Sequence, residues 1–144
     1  MKITFPDKNI REYPEGTTAM EIAKSISEGL ARNVLAAKVN NEVRDLMRPI
    51  HEDATLELLT WENSDGKNTL WHSSAHLMAE ALEFFYTGIK FWVGPPVDHG
   101  FYYDVDLGGQ QISSDDFKKI EAKMLELAKQ NNQFQRKEMP KAEA

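Results

Sequence analysis

Residues 13–26 read Tyr13-Pro14-Glu15-Gly16-Thr17-Thr18-Ala19-Met20-Glu21-Ile22-Ala23-Lys24-Ser25-Ile26. Thr18 followed three residues later by Glu21 has the form of a capping box, in which a hydroxyl and a carboxylate satisfy each other's backbone N–H at a helix start. Ala19, Ile22, Ala23, Ile26 and Leu30 then recur at helical spacing, with Gly29 as the expected stop. Outward on the N-terminal side, Ile3 and Phe5 precede the turn Pro6-Asp7-Lys8-Asn9, and Ile10 to Tyr13 follows it, which predicts a hairpin. Outward on the other side, Val34 to Val39 predicts a strand ending at the turn Asn40-Asn41, and Thr55 to Leu59 predicts another. The order is β-β-α-β-(β)-β, an α+β arrangement over residues 1–61.

The polar, turn-rich run at 62–67 (Glu62-Asn63-Ser64-Asp65-Gly66-Lys67) predicts a linker. A second α+β segment, 68–144, opens with a helix from Asn68 to Tyr86. Its Trp71, Ala75, Met78, Leu82 and Phe85 step by three and four, and Leu70, Leu77, Ala81 and Phe84 widen the apolar stripe to about half the circumference. Gly88 ends the pattern. Phe91-Trp92-Val93 and Phe101 to Leu107 read as two strands joined by the rigid loop Gly94-Pro95-Pro96-Val97-Asp98-His99-Gly100. In the second of them Phe101, Tyr103, Val105 and Leu107 alternate with polar neighbours. Ser113 or Ser114 with Asp115 and Asp116 caps a further helix, with Phe117, Ile120, Met124 and Leu127 on one face.

The 144 residues are 41% hydrophobic and 28% charged, the balance of a globular chain. There is no cysteine, which excludes disulfides, thiol nucleophiles and thiolate zinc sites. Seventeen Lys and Arg against 23 Asp and Glu leave a net charge of −6. The basic residues are scattered, the longest group being Arg136-Lys137, so a freestanding nucleic-acid binder is excluded, since that needs clustered cations. There is no GxGxxG or GxxxxGK[ST] phosphate loop and no apolar signal region, and no stretch approaches the ~20 apolar residues of a membrane span. A cytoplasmic location without membrane attachment is expected.

His72 and His76, four apart, lie about 40° from each other on one face of the predicted helix. The apolar stripe is centred well over 100° away, so both imidazoles are expected to face solvent, with Ala79 and Glu83 as neighbours on that face. Spacing alone leaves open a metal site, a pocket that activates water, and a pair of surface histidines. A zincin would need glutamate directly after the first histidine, where this chain has Ser73, and zinc wants a third protein ligand. Histidine suits the handling of water because its charge changes near neutral pH.

The runs His72-Ser73-Ser74-Ala75-His76-Leu77-Met78-Ala79-Glu80-Ala81-Leu82 and Gly94-Pro95-Pro96-Val97-Asp98-His99-Gly100-Phe101-Tyr102-Tyr103-Asp104 resemble the editing domain of the threonyl-tRNA synthetases. Ahead of them, Lys2-Ile3-Thr4-Phe5-Pro6-Asp7, Tyr13-Pro14-Glu15-Gly16-Thr17-Thr18 and Ala36-Ala37-Lys38-Val39-Asn40 resemble the ubiquitin-like TGS module that precedes this domain in bacterial members. The resemblance covers nearly the whole chain, in the family's order. It implies a β-grasp TGS domain at 1–61 followed by an incomplete editing domain at 68–144, together an N-terminal fragment of a threonine–tRNA ligase. The family attaches threonine to tRNA(Thr) with ATP and hydrolyses mischarged Ser-tRNA(Thr) at a second site.

By motif position, His72 and His76 would be editing residues, and Gly94 and Tyr103 would line the pocket. The resemblance gives His99 no catalytic role. The family's other half of the pocket, a Cys-x-x-x-His, is absent from this cysteine-free chain, so the fragment alone is expected to be inactive. No metal or cofactor is expected in it; ATP, Mg and Zn would belong to the missing catalytic domain. The implied partner is tRNA(Thr), bound by the whole enzyme, and the parent is expected to be a homodimer. The alternatives are a freestanding TGS-containing interaction or regulatory module and a trans-editing hydrolase.

Overall fold

Helix and hairpin starts in this chain are written by short polar side chains, and the computed structural model shows them at work. It describes residues 1–132 and 137–143; Arg136, one half of the basic pair, and part of the tail after Asn131 lie outside the described residues. The Thr18 and Glu21 N–H groups are satisfied reciprocally: Thr18 N–H donates to Glu21 Oε2 at 2.8 Å, and Glu21 N–H donates to Thr18 Oγ1 at 3.2 Å. Helix α1 (Ala19–Ile26) starts there and buries Ala19, Ile22 and Ala23.

The first helix ends earlier than the apolar spacing predicts. Ser27 takes an extended conformation, donates its N–H to the Ala23 carbonyl, and accepts the Leu30 N–H on Oγ at 3.0 Å. It thus closes α1 and caps a second short helix, α2 (Glu28–Asn33). Gly29, the expected stop, lies inside α2, and Ile26 is left 37% exposed at the break.

The first compact unit, residues 1–74 with 94–102, holds a five-stranded sheet. Its strands are β1 (Lys2–Thr4), β2 (Ile10–Glu12), β3 (Ala36–Val39), β4 (Glu42–Arg44) and β5 (Ala54–Leu59), in spatial order β2-β1-β5-β3-β4. β1 and β2 pair antiparallel around the expected turn, where Asp7 accepts the Asn9 N–H at 3.0 Å and Lys8 takes a φ of 66°. The two-residue loop Asn40-Asn41 has φ of 49° and 67°, the positive pair that a tight β3–β4 hairpin requires. β1 runs parallel to β5, with Ile3 opposite Ala54 and Thr4 opposite Thr55. This mixed sheet with its helices on the intervening crossover is a β-grasp, and the chain as a whole is α+β. Ile3, Ile22, Leu56 and Leu59 are fully buried, each worth roughly 1.5–3 kcal/mol of transfer free energy.

Helix α3 runs from Ser64 to Phe85, so residues 64–67 of the expected linker are its first turn. Asn63 explains the early start. Its side-chain oxygen accepts the Thr60 N–H at 2.8 Å, and its carbonyl accepts the Lys67 N–H at 3.0 Å. Gly66, which punctuates the sequence like a turn residue, is there for space, because a Cβ would collide with the Thr60 carbonyl. The division between compact units falls at Ser74/Ala75, inside this helix. Residues 94–102 also belong to the first unit and form a hairpin of β7 (Pro96–Val97) and β8 (Gly100–Phe101), with Gly100 at a φ of 138°.

The second unit comprises residues 75–93 and 103–144. Its strands β6 (Lys90–Phe91) and β9 (Val105–Asp106) pair antiparallel, and Trp92 N–H to Asp104 O at 3.0 Å and Asp104 N–H to Val93 O at 2.8 Å extend the ladder. Phe101 to Leu107 alternates in burial as predicted, yet it is two strands with different partners and not one. Helix α4 (Ser114–Lys129) starts at Ser113, whose N–H and hydroxyl both donate to Asp116, at 2.8 and 2.9 Å.

The core of the second unit is Ala81, Leu82, Tyr86, Ile120 and Leu127, flanked by Leu77, Met78, Phe85, Phe91, Val105 and Met124. Leu70, Phe84 and Phe117, all assigned to apolar stripes, are exposed, at 37%, 66% and 55%. The Phe84 ring instead receives the Lys123 ammonium 3.8 Å from its centroid and packs edge-on to Phe85 at 5.1 Å. Within this unit the apolar stripe of α3 is therefore narrower than the residue types suggest.

Candidate functional site

α3 carries both histidines on an unbroken helix, and both are exposed. His72 belongs to the first unit and His76 to the second. In the second unit, the His76 ring stands edge-on to Tyr103, with centroids 6.2 Å apart and planes at 73°. Tyr103 in turn meets Phe91 edge-on at 5.4 Å, and it is half-buried. The chain is local in cause. Phe91 and Val105 are paired across β6 and β9, and Tyr103 sits one residue beyond the Asp104 backbone bonds that extend this ladder, which brings its ring beside Phe91.

Gly94 is half-buried in the first unit, two residues ahead of β7, and His99 is exposed at the tip of the β7–β8 hairpin. Of the residues singled out from the sequence, the structure brings His76 to Tyr103; Gly94 lies with His72 in the first unit. Ala79, on the helix face of His76, is itself buried at 8%, so that face is not open along its length as the helical wheel suggests.

Sequence reasoning passed over Phe91 as a site residue, reading it as plain strand packing. Phe91 is half-buried against Tyr103 while Trp92 and Val93 are exposed, at 83% and 43%, so the run Phe91-Trp92-Val93 does not alternate in burial and gave no signal of this contact. Among the described residues no three His, Asp or Glu side chains gather as a metal site. No described helix is long and apolar enough to cross a membrane.

Residues 1–60 match the model of the TGS domain. All 144 residues align with the threonine–tRNA ligases of Cytophaga hutchinsonii at 61% identity, Parabacteroides distasonis at 59%, and, over 145 aligned positions, Porphyromonas gingivalis at 53%. The chain spans 22% of the length of each of these relatives. The chain thus carries a TGS domain at residues 1–60 within a sequence that, along its full length, is similar to the N-terminal part of bacterial threonine–tRNA ligases.

Proposed function

We propose that this chain is the N-terminal proofreading region of a threonine–tRNA ligase, and that His72 and His76 hold the water that hydrolyses the ester of mischarged Ser-tRNA(Thr). A site that must hold threonine excludes serine poorly, because one methyl group supplies only about 1–3 kcal/mol of discrimination. A second, hydrolytic site restores accuracy. In the reaction, the water oxygen attacks the seryl carbonyl while an imidazole accepts its proton; the ester C–O bond then breaks, and the ribose hydroxyl leaves with a proton.

The observation that carries this reading is the His76–Tyr103 ring contact at 6.2 Å, on a helix whose other histidine is one turn away. The Tyr103 ring limits how the His76 imidazole can turn, and the exposure of His76 leaves it open to water, as a residue that positions a nucleophile requires. Gly94 and Tyr103 line the pocket, in this reading, and the remaining catalytic groups come from the rest of the longer enzyme, as do ATP, Mg and Zn. The chain alone is therefore inactive. The enzyme is cytoplasmic and dimeric and binds tRNA(Thr) as a whole.

The test is the ratio of Ser-tRNA to Thr-tRNA formed by the full-length enzyme with both amino acids supplied. Replacing His72 and His76 by alanine should raise that ratio strongly, since general acid–base help is commonly worth 10²–10⁴-fold, while threonylation persists. An unchanged ratio overturns the proposal, as does comparable Ser-tRNA hydrolysis by the 144-residue chain alone.

A further inference from the structure

The segment expected to be a linker is tied to the TGS sheet at several points. Asn63 accepts the Thr60 N–H at 2.8 Å and donates from Nδ2 to Glu57 Oε1 at 3.4 Å. Asp65, in the first turn of α3, pairs with Lys38 of β3 at 2.5 Å. That hydrogen bond holds the Lys38 ammonium above its ordinary pKa. Gly66 lies hard against the Thr60 backbone, with no room for a Cβ. Trp61 and Trp71 meet edge-on at 5.6 Å, and the Lys67 ammonium lies 5.5 Å over the Trp61 ring. All of these residues belong to the first compact unit, and so does His72, which follows Trp71 directly.

Resting on the proofreading role proposed above, we infer that the TGS domain positions His72: β3 and β5 fix the first turns of α3, and Gly66, Asp65 and Lys38 are positioning residues for hydrolysis of the seryl ester. A flexible polar linker would leave His72 free to wander relative to the sheet. The observed ties do not. From Gly66 to His72 the helix advances about 9 Å, so a tilt of roughly 10° at Gly66 moves the imidazole by about 1.5 Å. Misplacements of about 1 Å commonly cost on the order of 10²-fold in rate.

The experiment uses the full-length enzyme and single-turnover deacylation of preformed Ser-tRNA(Thr), with threonylation and thermal unfolding measured beside it. Gly66→Ala should lower the deacylation rate constant at saturating enzyme by roughly tenfold or more and leave threonylation within about twofold. Lys38→Met should lower it by about two- to fivefold, the scale of an exposed ion pair, and Lys38→Arg should keep the wild-type rate. A loss confined to the half-saturating concentration, or equal rates for Lys38→Met and Lys38→Arg, overturns the inference. If Gly66→Ala does not fold, the two Lys38 variants decide alone. His72→Ala in the same assay separates the two claims: normal deacylation by it sinks the proofreading role, whereas an inactive His72→Ala beside a normal Gly66→Ala sinks only the positioning role.

Discussion

Gly66 approaches Thr60 so closely that a Cβ built on its backbone would overlap the Thr60 carbonyl oxygen and crowd the carbonyl carbon. The contact seats the first turn of α3 on the end of β5, and it reverses the usual sign of a helical glycine substitution. Glycine to alanine within a helix ordinarily stabilises by about 0.4–1 kcal/mol through the unfolded chain. Here the methyl group must displace backbone, so Gly66→Ala should destabilise the chain by about 1–3 kcal/mol, as overpacking does. Urea unfolding checks it; a gain in stability would mean that the helix start is free to move.

Ser27 ends one helix and caps the next. Ser27→Ala removes the hydroxyl that accepts the Leu30 N–H, and the expected loss is about 1 kcal/mol. The same urea experiment measures it. Amide exchange at Leu30 should speed up as well, because that N–H loses its acceptor.

The carboxylate of Asp116 is held by Lys119 at 2.6 Å and by the Ser113 N–H and hydroxyl, which lower its pKa from the ordinary 3.8 to about 2. A group whose pKa falls on folding stabilises above its unfolded value, and that contribution fades as pH drops from about 4 toward 2. Carboxyl NMR should find the Asp116 midpoint near 2. Asp116→Asn should flatten the fall in stability over this interval, and equal slopes for variant and wild type would contradict the assignment.

The Tyr86 hydroxyl is buried without a hydrogen-bond partner among the described residues, while its ring sits in the core of the second unit. A buried polar group left unpaired costs roughly 1–3 kcal/mol. Tyr86→Phe removes the hydroxyl and keeps the ring, including its place under the Lys119 ammonium at 5.6 Å. The 144-residue chain should gain about 1 kcal/mol on this change; a loss would show that the hydroxyl finds a partner in solution.

What the residues determined unaided lies within single elements, where covalent spacing and neighbouring hydrogen bonds decide. The Thr18–Glu21 and Ser113–Asp116 caps, the Asn40-Asn41 turn, the inward–outward alternation from Phe101 to Leu107 and the four-residue spacing of His72 and His76 are all of this kind. Tertiary structure decided what depends on chain segments far apart. The partners of Phe101 and Val105, the exposure of Phe84 and Phe117, and the ring contact between His76 and Tyr103 each need a surface that periodicity cannot specify. The plainest case is residues 62–67. Their Ser, Asp, Gly and Lys are turn formers by composition, yet the Thr60 and Asn63 backbone bonds, the Lys38 pairing and the tight seat of Gly66 make residues 64–67 helix. Local propensities there amount to no more than about 1 kcal/mol per residue, so contacts with the sheet override them.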